Sequence, residues 1–152
     1  MSKPEQTGCK IRILLTGAAG FLGANVAKHL LAQGNDLILV DNFSNYYSTD
    51  LKNLRVKVLL GSDVQVNSLD LSSIGSVKEL FQTARIDCVI HLAAQAGVRL
   101  SKSKFCRYTK DNLTGFSNIL LTAADNGVQN FIYASSSSVY GSRAGTKFTE
   151  LE

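Results

Sequence analysis

The sequence predicts an α/β fold in which helices cover both faces of a doubly wound parallel sheet. Short apolar segments with little alternation recur along the chain, as expected of parallel strands that are buried on both faces. Segments with helical periodicity separate them, and this alternation gives right-handed crossovers. The 152 residues, 45% hydrophobic and 18% charged, are typical of one folded domain.

The predicted elements follow one another without internal repeats or linkers. They are a strand over 11–17, a helix over 21–34, a strand over 36–41, a short helix over 48–60, a strand over 64–71 that runs into a loop, a helix over 73–83, a strand over 86–94, a helix over 104–126 and a strand over 128–136. In the first helix, Leu22, Val26, Leu30 and Leu31 share one face, and Gly115 is a weak point in the longest helix. Ligands of such sheets bind at the carboxyl ends of the strands. We therefore expect a site near the loops after Thr16, Val40, His91 and Ala134.

The loop after the first strand has the spacing of a phosphate-binding loop. In TGAAGFLG, Gly17 permits a tight turn, Gly20 lets a pyrophosphate approach the backbone, and Gly23 allows close packing of helix and sheet. The helix that follows offers free N–H groups and the positive end of its dipole. Because the glycines lie between a buried strand and an amphipathic helix, they predict a dinucleotide site in a Rossmann-like fold.

Two acidic residues follow the next strands. Asp41 ends the second strand, where a carboxylate would accept hydrogen bonds from ribose hydroxyls and repel a 2′-phosphate, which favours NAD over NADP. A turn-forming role before Asn42 is the alternative. Asp70 could face the adenine amino group, or it could be a helix cap or turn residue.

Composition and charge argue against several other classes of protein. The net charge is +4, and the densest basic patch, Lys102, Lys104, Arg107 and Lys110, favours a solvated helix face over a nucleic-acid site. Three distant cysteines suggest neither a disulfide framework nor a metal site. The polar N-terminus lacks a signal peptide, and no apolar run is long enough to cross a bilayer. We expect a cytoplasmic protein without metal, membrane or nucleic-acid partners.

Five segments resemble the extended short-chain dehydrogenase/reductases of the NAD-dependent epimerase/dehydratase family. They are TGAAGFLG, DNFSNYY, HLAAQAGVR, DNLTGFSNIL and YASSSSVYG. Within this family the chain looks most like the N-terminal part of UDP-glucuronate 4-epimerases, from about Ile11 to its last residue. The third and fifth segments together are far more specific than the glycine loop.

The resemblance implies a role for each matching position. Cofactor contacts are implied for Gly17, Ala19, Gly20, Phe21, Leu22, Gly23, Asp41, Asn42, Asp70, Leu71, Leu92, Ala93, Ala94 and Tyr140. Substrate contacts are implied for Gln95, Gly97, Val98, Arg99, Ser136 and Ser137, with Ser136 as the catalytic hydroxyl and Arg99 near the uronate. Alternatives stay open: Arg99 as a surface charge, Asn112 as a packing or capping residue, and His91 as a strand-end residue instead of a base.

The resemblance also implies the chemistry. A base removes the proton of the sugar 4-hydroxyl while hydride passes from C4 to NAD, and the hydride then returns to the other face of the 4-keto sugar. The base is a tyrosinate of a Tyr-x-x-x-Lys helix, whose ordinary pKa of about 10 is lowered by the lysine and the nicotinamide. None of the five tyrosines of this sequence has a lysine four residues later.

We therefore expect a flexible tail over 1–10 and an incomplete NAD-binding domain over 11–152, truncated after about the fifth strand and without the C-terminal substrate-binding region. The chain would supply the cofactor-binding half of an enzyme that epimerises C4 of UDP-glucuronate, and would be inactive alone. The complete protein would bind a nucleotide sugar and form a homodimer. The alternatives are a 4,6-dehydratase or decarboxylase of the same family, or a non-catalytic NAD-binding module.

Overall fold

Five parallel strands form one sheet in the computed structural model, which describes residues 11–97, 105–141 and 148–150. The strands are β1 (Arg12–Thr16), β2 (Asp36–Asp41), β3 (Asn67–Ser68), β4 (Cys88–His91) and β5 (Asn130–Tyr133). They lie in the order β3-β2-β1-β4-β5, and each neighbouring pair is parallel. The direction of winding reverses between β1 and β4, where ligands of such sheets bind. The predicted doubly wound parallel sheet is confirmed.

Helices connect the strands in the predicted order. They are α1 (Phe21–Ala32), α2 (Thr49–Leu60), α3 (Ile74–Thr83), α4 (Phe105–Tyr108), a π-helix (Thr109–Thr114), α5 (Gly115–Asp125) and a 3-10 helix (Ser137–Tyr140). The serine side chains before α2 and α3 accept from backbone N–H groups of the first turn and so cap these helices. Across the described ranges, no helix is long and apolar enough to cross a membrane.

The long helical region does not break at Gly115. Instead α4, the π-helix and α5 follow one another from Phe105 to Asp125. Gly115 is buried and lies against Leu71. A Cβ atom added at Gly115 would lie 3.3 Å from the Cβ atom of Leu71. The glycine therefore permits close packing of the helix on the strand ends.

Apolar cores lie on both faces of the sheet. Leu14, Val40 and Val89 from the strands pack with buried side chains of α3 and α5 on one face. Leu15 and Leu39 pack with Ala18 and Ala27 on the other. Helices cover both faces of the central strands and leave none of their residues exposed, which explains why the strand sequences show little alternation.

Small residues bring α1 onto the sheet. Its buried residues are Gly23, Ala24 and Ala27, whereas Leu22 is 60% exposed. The helix therefore approaches the sheet along its small side chains, and Leu22, on the predicted apolar face, stays exposed.

The two outer strands differ from the central ones. Only Asn67 and Ser68 of the predicted third strand pair with β2. On the other side β5 pairs with β4, and Ile132 and Tyr133 are each 56% exposed. The central strands β1, β2 and β4 thus provide the buried frame on which the loops at the carboxyl ends are mounted.

Candidate functional site

A cavity of about 530 Å³ opens at the carboxyl ends of β1, β2 and β4, beside the first turn of α1. Most residues predicted to contact a cofactor line it: Gly17, Gly20, Phe21, Leu22, Gly23, Asp41, Asn42, Asp70, Leu71, Leu92, Ala93 and Ala94. Ala19, within the glycine loop, is fully buried. The structure therefore brings together residues from four separate loops.

The glycine loop is a backbone cradle. Gly17 has φ of +71°, and a Cβ atom there would lie 2.8 Å from the backbone nitrogen of Ala93. A Cβ atom on Gly23 would overlap the carbonyl oxygen of Gly17. Gly20 caps α1 without a side-chain hydrogen bond, so the first N–H groups of the helix face the cavity mouth. Such a cradle suits a pyrophosphate.

Thr16 joins this loop to the segment after β4. Its buried hydroxyl accepts a hydrogen bond from the backbone N–H of Ala93 at 3.2 Å and lies 2.9 Å from Nδ1 of His91. Burial lowers the pKa of His91 to about 4, so the ring is neutral near pH 7. His91 does not line the cavity. Its contacts fit a strand-end residue whose hydrogen-bond partner is the hydroxyl of Thr16.

Asp41 is buried and already has three hydrogen-bond donors. Its carboxylate accepts from the backbone N–H of Ala19 at 3.1 Å, from that of Phe43 at 2.8 Å and from Nζ of Lys52 at 3.3 Å. A carboxylate has about four lone-pair positions. The carboxylate therefore has room for about one more donor, so it cannot accept from both ribose hydroxyls unless one present bond is released.

Two cations of α2, Lys52 and Arg55, lie in the cavity wall and were not predicted from the sequence, and Lys52 pairs with Asp41. The Lys52 side chain is only 6% exposed, and its Nζ lies 5.2 Å from the ring centre of Tyr47. Nη1 of Arg55 donates to the carbonyl of Ala19 at 2.8 Å and to the hydroxyl of Tyr47 at 3.0 Å. All three side chains line the cavity. A lysine is rarely buried, so only the spacing from Asp41 could have suggested this ion pair.

Asp70 and Leu71 lie at another part of the cavity wall. The Asp70 carboxylate accepts from Nζ of Lys110 at 2.7 Å and from Ser72. Burial alone would raise the pKa of Asp70, but the hydrogen bonds from Lys110 and Ser72 hold it below its ordinary value. Nδ2 of Asn118 donates to the carbonyl of Leu71 at 2.9 Å. These bonds hold an ionised acceptor at the cavity edge.

Asn112 fixes the predicted sugar-side segment. Its Oδ1 accepts from the backbone N–H of Gln95 at 2.7 Å, and its Nδ2 donates to the carbonyl of Gln95 at 3.3 Å. Gln95 is buried and lines the cavity. Gly97 is exposed outside the cavity wall, and its carbonyl accepts from the hydroxyl of Tyr108. Val98 and Arg99 lie outside the described residues.

The serine segment lies apart from this cavity. Ser136 is exposed after β5, and its Oγ accepts from the backbone N–H of Ser138 at 3.2 Å. Ser137 is exposed and begins the 3-10 helix, while Tyr140 stacks on Phe148 with ring centres 4.8 Å apart. None of the described residues after β5 lines the cavity. The structure does not bring the predicted catalytic hydroxyl into contact with the glycine loop.

The cavity fits a dinucleotide by its own geometry. The glycines leave the space that side chains would fill, the start of α1 presents free N–H groups, and Asp41 keeps a position for one hydroxyl. Phe21 and Leu22 are 69% and 60% exposed at the wall, so they offer apolar surface that a bound organic ligand would cover.

Comparison with known proteins agrees with this geometry. Residues 13–152 match the model of the NAD dependent epimerase/dehydratase family. Protein CapI of Staphylococcus aureus is 40% identical over 91% of this chain and 42% of its own length. UDP-glucuronate 4-epimerase 2 of Arabidopsis thaliana is 38% identical over 93% of this chain and 33% of its own length. The chain thus spans less than half the length of these curated relatives.

Solved structures of similar fold include nucleotide-sugar epimerases with bound cofactor. UDP-glucuronic acid 4-epimerase from Bacillus cereus, in complex with UDP-glucuronic acid and NAD, has a TM-score of 0.78 and 33% identity, over 92% of this chain and 44% of that one. The NAD complex of UDP-glucose 4-epimerase from Thermus thermophilus has a TM-score of 0.77 and 29% identity, over 93% of this chain and 43% of that one.

Proposed function

The chain belongs to the NAD dependent epimerase/dehydratase family, and we propose that it is the NAD-binding part of a nucleotide-sugar epimerase that inverts C4 of UDP-glucuronate. The glycine cradle, with Asp41 at the end of β2, is the observation that carries the proposal. The relatives named UDP-glucuronate 4-epimerase and the Bacillus cereus complex support this substrate among the family's reactions.

Each part of the cavity has a task in this proposal. The N–H groups around Gly20 and the start of α1 would bind the pyrophosphate, and Asp41 would accept from the adenosine ribose. Asp70 and Leu71 would border the adenine, and Ala93 and Ala94 would leave space for the nicotinamide end. The bound nicotinamide supplies the hydride acceptor and donor of the reaction.

The sugar side would be formed by the segments after β4 and β5. Gln95 to Arg99 would border the sugar, and the hydroxyl of Ser136 would donate to the sugar 4-oxygen and orient it. Ser137 and Tyr140 would lie beside Ser136. A base of the Tyr-x-x-x-Lys type has no counterpart among the tyrosines of this sequence, so we expect the isolated chain to bind NAD without turnover.

A first experiment measures cofactor binding by the 152-residue chain. Calorimetric titration should show that NAD binds more tightly than NADP, because the Asp41 carboxylate repels a 2′-phosphate. If the chain binds neither dinucleotide, the proposed cofactor role is refuted. If it binds NADP more tightly than NAD, the assigned preference is refuted.

A second experiment tests the reaction with a chimera. The chain is joined to the C-terminal part of the Bacillus cereus enzyme that it does not cover, and UDP-glucuronate is supplied with NAD. We expect UDP-galacturonate from the chimera and none from the unjoined chain. Ser136→Ala should lower the chimera's rate by about 100-fold, the typical effect of removing one hydrogen-bond donor from the reacting oxygen.

The products separate the proposed reaction from its rivals. A stable 4-keto sugar would indicate a dehydratase, and carbon dioxide release would indicate a decarboxylase. A chimera that binds NAD and gives no product would favour the non-catalytic module, provided that a chimera built from the corresponding N-terminal part of the Arabidopsis thaliana relative is active.

A further inference from the structure

Two loops meet across the carboxyl end of β1. In the sheet β1 lies between β2 and β4, and about 10 Å separates these two neighbours, since adjacent strands lie about 4.8 Å apart. The side chain of Tyr46, in the loop after β2, nevertheless contacts Gly97, which follows β4. A Cβ atom on Gly97 would overlap the hydroxyl oxygen of Tyr46 and would lie 3.0 Å from its Cζ atom. Because Tyr46 also lines the cavity, this contact closes the wall across the end of β1, where the glycine loop begins.

Exposed groups hold this contact in place. The Gly97 carbonyl accepts a hydrogen bond from the hydroxyl of Tyr108, and Nη2 of Arg107 donates to Oδ1 of Asn45 at 3.3 Å. Asn45 and Gly97 are exposed, and Tyr46 is 42% exposed. Water can replace each of these bonds when the two loops separate, so the net cost of separation is small. The glycine loop, in contrast, is bonded to buried strand residues.

The next residue of the loop after β2 is anchored to the glycine loop. Nη1 of Arg55 donates to the hydroxyl of Tyr47 at 3.0 Å and to the carbonyl of Ala19 at 2.8 Å. The two adjacent tyrosines therefore differ, since Tyr47 is tied to the glycine loop through Arg55, whereas Tyr46 packs on an exposed glycine. The side chain of Tyr46 can leave Gly97 by rotating, while Tyr47 stays in place.

We propose that Tyr46 is a gate, which closes on Gly97 and must leave it before a dinucleotide enters or leaves the cavity. This inference rests on the proposed function, because it takes a dinucleotide as the ligand of the cavity. A gate that favours neither the free nor the bound state slows entry and release by the same factor, so it changes the rates and not the affinity. Slow exchange suits the proposed reaction, in which the hydride returns to the sugar and NAD is regenerated within each turnover.

The test measures the rate constants of dinucleotide binding by stopped-flow fluorescence, with NADH as the probe. Mixing NADH with the chain gives the association rate constant, and displacement of bound NADH by excess NAD gives the dissociation rate constant. Tyr46→Ala should raise both constants about tenfold, the effect of removing a gate that is open about a tenth of the time. Their ratio, the dissociation constant, should change by less than about threefold, because the gate acts on both directions equally.

Gly97→Ala opens the same gate from the other side. Gly97 does not line the cavity, and the added Cβ atom meets the end of the Tyr46 side chain, which can rotate away. This variant should therefore also raise both rate constants. Gly34→Ala is the matched control, because Gly34 has φ of +81° against +92° at Gly97, and an added Cβ atom there meets no heavy atom within 4 Å. It should keep the parent's rate constants. Tyr108→Phe should raise both by about two- to fivefold, the scale of one neutral hydrogen bond.

The outcomes separate this inference from the proposed function. A parent chain that binds neither NADH nor NAD refutes the proposed function, and the inference with it. If the parent binds and Tyr46→Ala keeps its rate constants, only the gate is overturned. A rise in the dissociation rate constant alone would also overturn it, since Tyr46 would then be a simple ligand contact. The same holds for a folded Gly97→Ala with the parent's rate constants. If circular dichroism shows that Gly97→Ala does not fold, Tyr46→Ala and Tyr108→Phe decide.

Discussion

Gly23→Ala tests whether the close approach of α1 to the glycine loop forms the site. A Cβ atom at position 23 would overlap the carbonyl oxygen of Gly17, and would lie 2.7 Å from the carbonyl carbon of Gly17 and 2.9 Å from Cα of Ala18. All three atoms belong to the main chain, so no side chain can rotate out of the way. The first turn of α1 must move, or the loop must open.

The size of the effect follows from these distances. Carbon atoms pack at about 3.5 Å or more, so the contact with the carbonyl carbon of Gly17 alone requires a shift of about 0.8 Å, and the overlap with the carbonyl oxygen requires more. Overpacking of a well-packed region costs about 1–3 kcal/mol, and a clash with main chain lies at the upper end. Alanine regains about 0.5–1 kcal/mol of helix propensity. We therefore expect the free energy of unfolding to fall by about 2 kcal/mol and NAD binding to weaken about tenfold.

Gly75→Ala is the matched control. Gly75 lies in α3, where an added Cβ atom meets no heavy atom within 4 Å, and its φ is not positive. This variant should be about 0.5–1 kcal/mol more stable than the parent. Urea unfolding followed by circular dichroism measures both variants, and calorimetry measures NAD binding. A Gly23→Ala variant within about 0.5 kcal/mol of the parent, and within about twofold in affinity, would refute the steric argument.

Three further predictions concern groups around the cavity. Burial lowers the pKa of His91 to about 4 from an ordinary 6.5, so the folded state resists protonation. The free energy of unfolding should therefore fall by up to about 3 kcal/mol as the pH drops from about 6.5 to about 4. In His91→Gln, the free energy of unfolding measured with urea should depend less on pH over this range. The same pH dependence in variant and parent would contradict the assignment of this effect to His91. Asn112→Ala should cost about 1–3 kcal/mol in the same assay at pH 7, because the backbone N–H of Gln95 loses its acceptor; an unchanged midpoint would contradict that. The exposed pair of Lys110 and Asp70 should show a coupling below about 1 kcal/mol in a double-mutant cycle, and a coupling that survives about 0.5 M salt would refute its surface character.

The alternation of strands and helices could be predicted because the buried strands are short, apolar and separated by periodic segments. The edge could not. The segment over 64–71 has the composition of a strand, yet only Asn67 and Ser68 pair, with Val40 and Asp41 of β2. The π-helix was also not predicted. It contains Lys110 and Asn112, whose side chains reach Asp70 and Gln95, contacts that do not show in local periodicity.

The glycine loop and Asp41 could be located from the sequence because their spacing reflects backbone requirements. The side chain that pairs with Asp41 could not be located from the sequence. Lys52 lies in α2, whose low mean hydropathy predicts a solvent-exposed helix. The burial of Lys52 depends on the path of the chain from β2 to α2. Leu22, implied as a cofactor contact, is exposed and lines the cavity, because the small side chains of Gly23 and Ala27 control how α1 packs. Tertiary contacts, which local sequence patterns do not show, therefore decide the burial of Lys52 and the exposure of Leu22.

The two halves of the proposed active site differ in what holds them. The backbone N–H of Ala18 donates to Val40, that of Ala19 to Asp41, and that of Gly20 to Gly17, so the glycine loop is fixed by β2 and by itself. Thr16 then fixes it to the segment after β4. Apart from the bond within the loop, these contacts come from central strands, so we expect the chain by itself to have a preformed cofactor site.

The serine end has no such support among the described residues. The side-chain hydrogen bonds of Ser136 are to Ser138, two positions along the chain, and the neighbouring Tyr133 is 56% exposed on β5. A catalytic hydroxyl must be held to within a fraction of an ångström, and local bonds between exposed serines cannot do this. Orientation of Ser136 must therefore come from groups that pack on the exposed side of β5 or from the bound sugar. In the proposed enzyme, binding of NAD and turnover of the sugar would therefore be separable properties, and we expect the chain to have the first without the second.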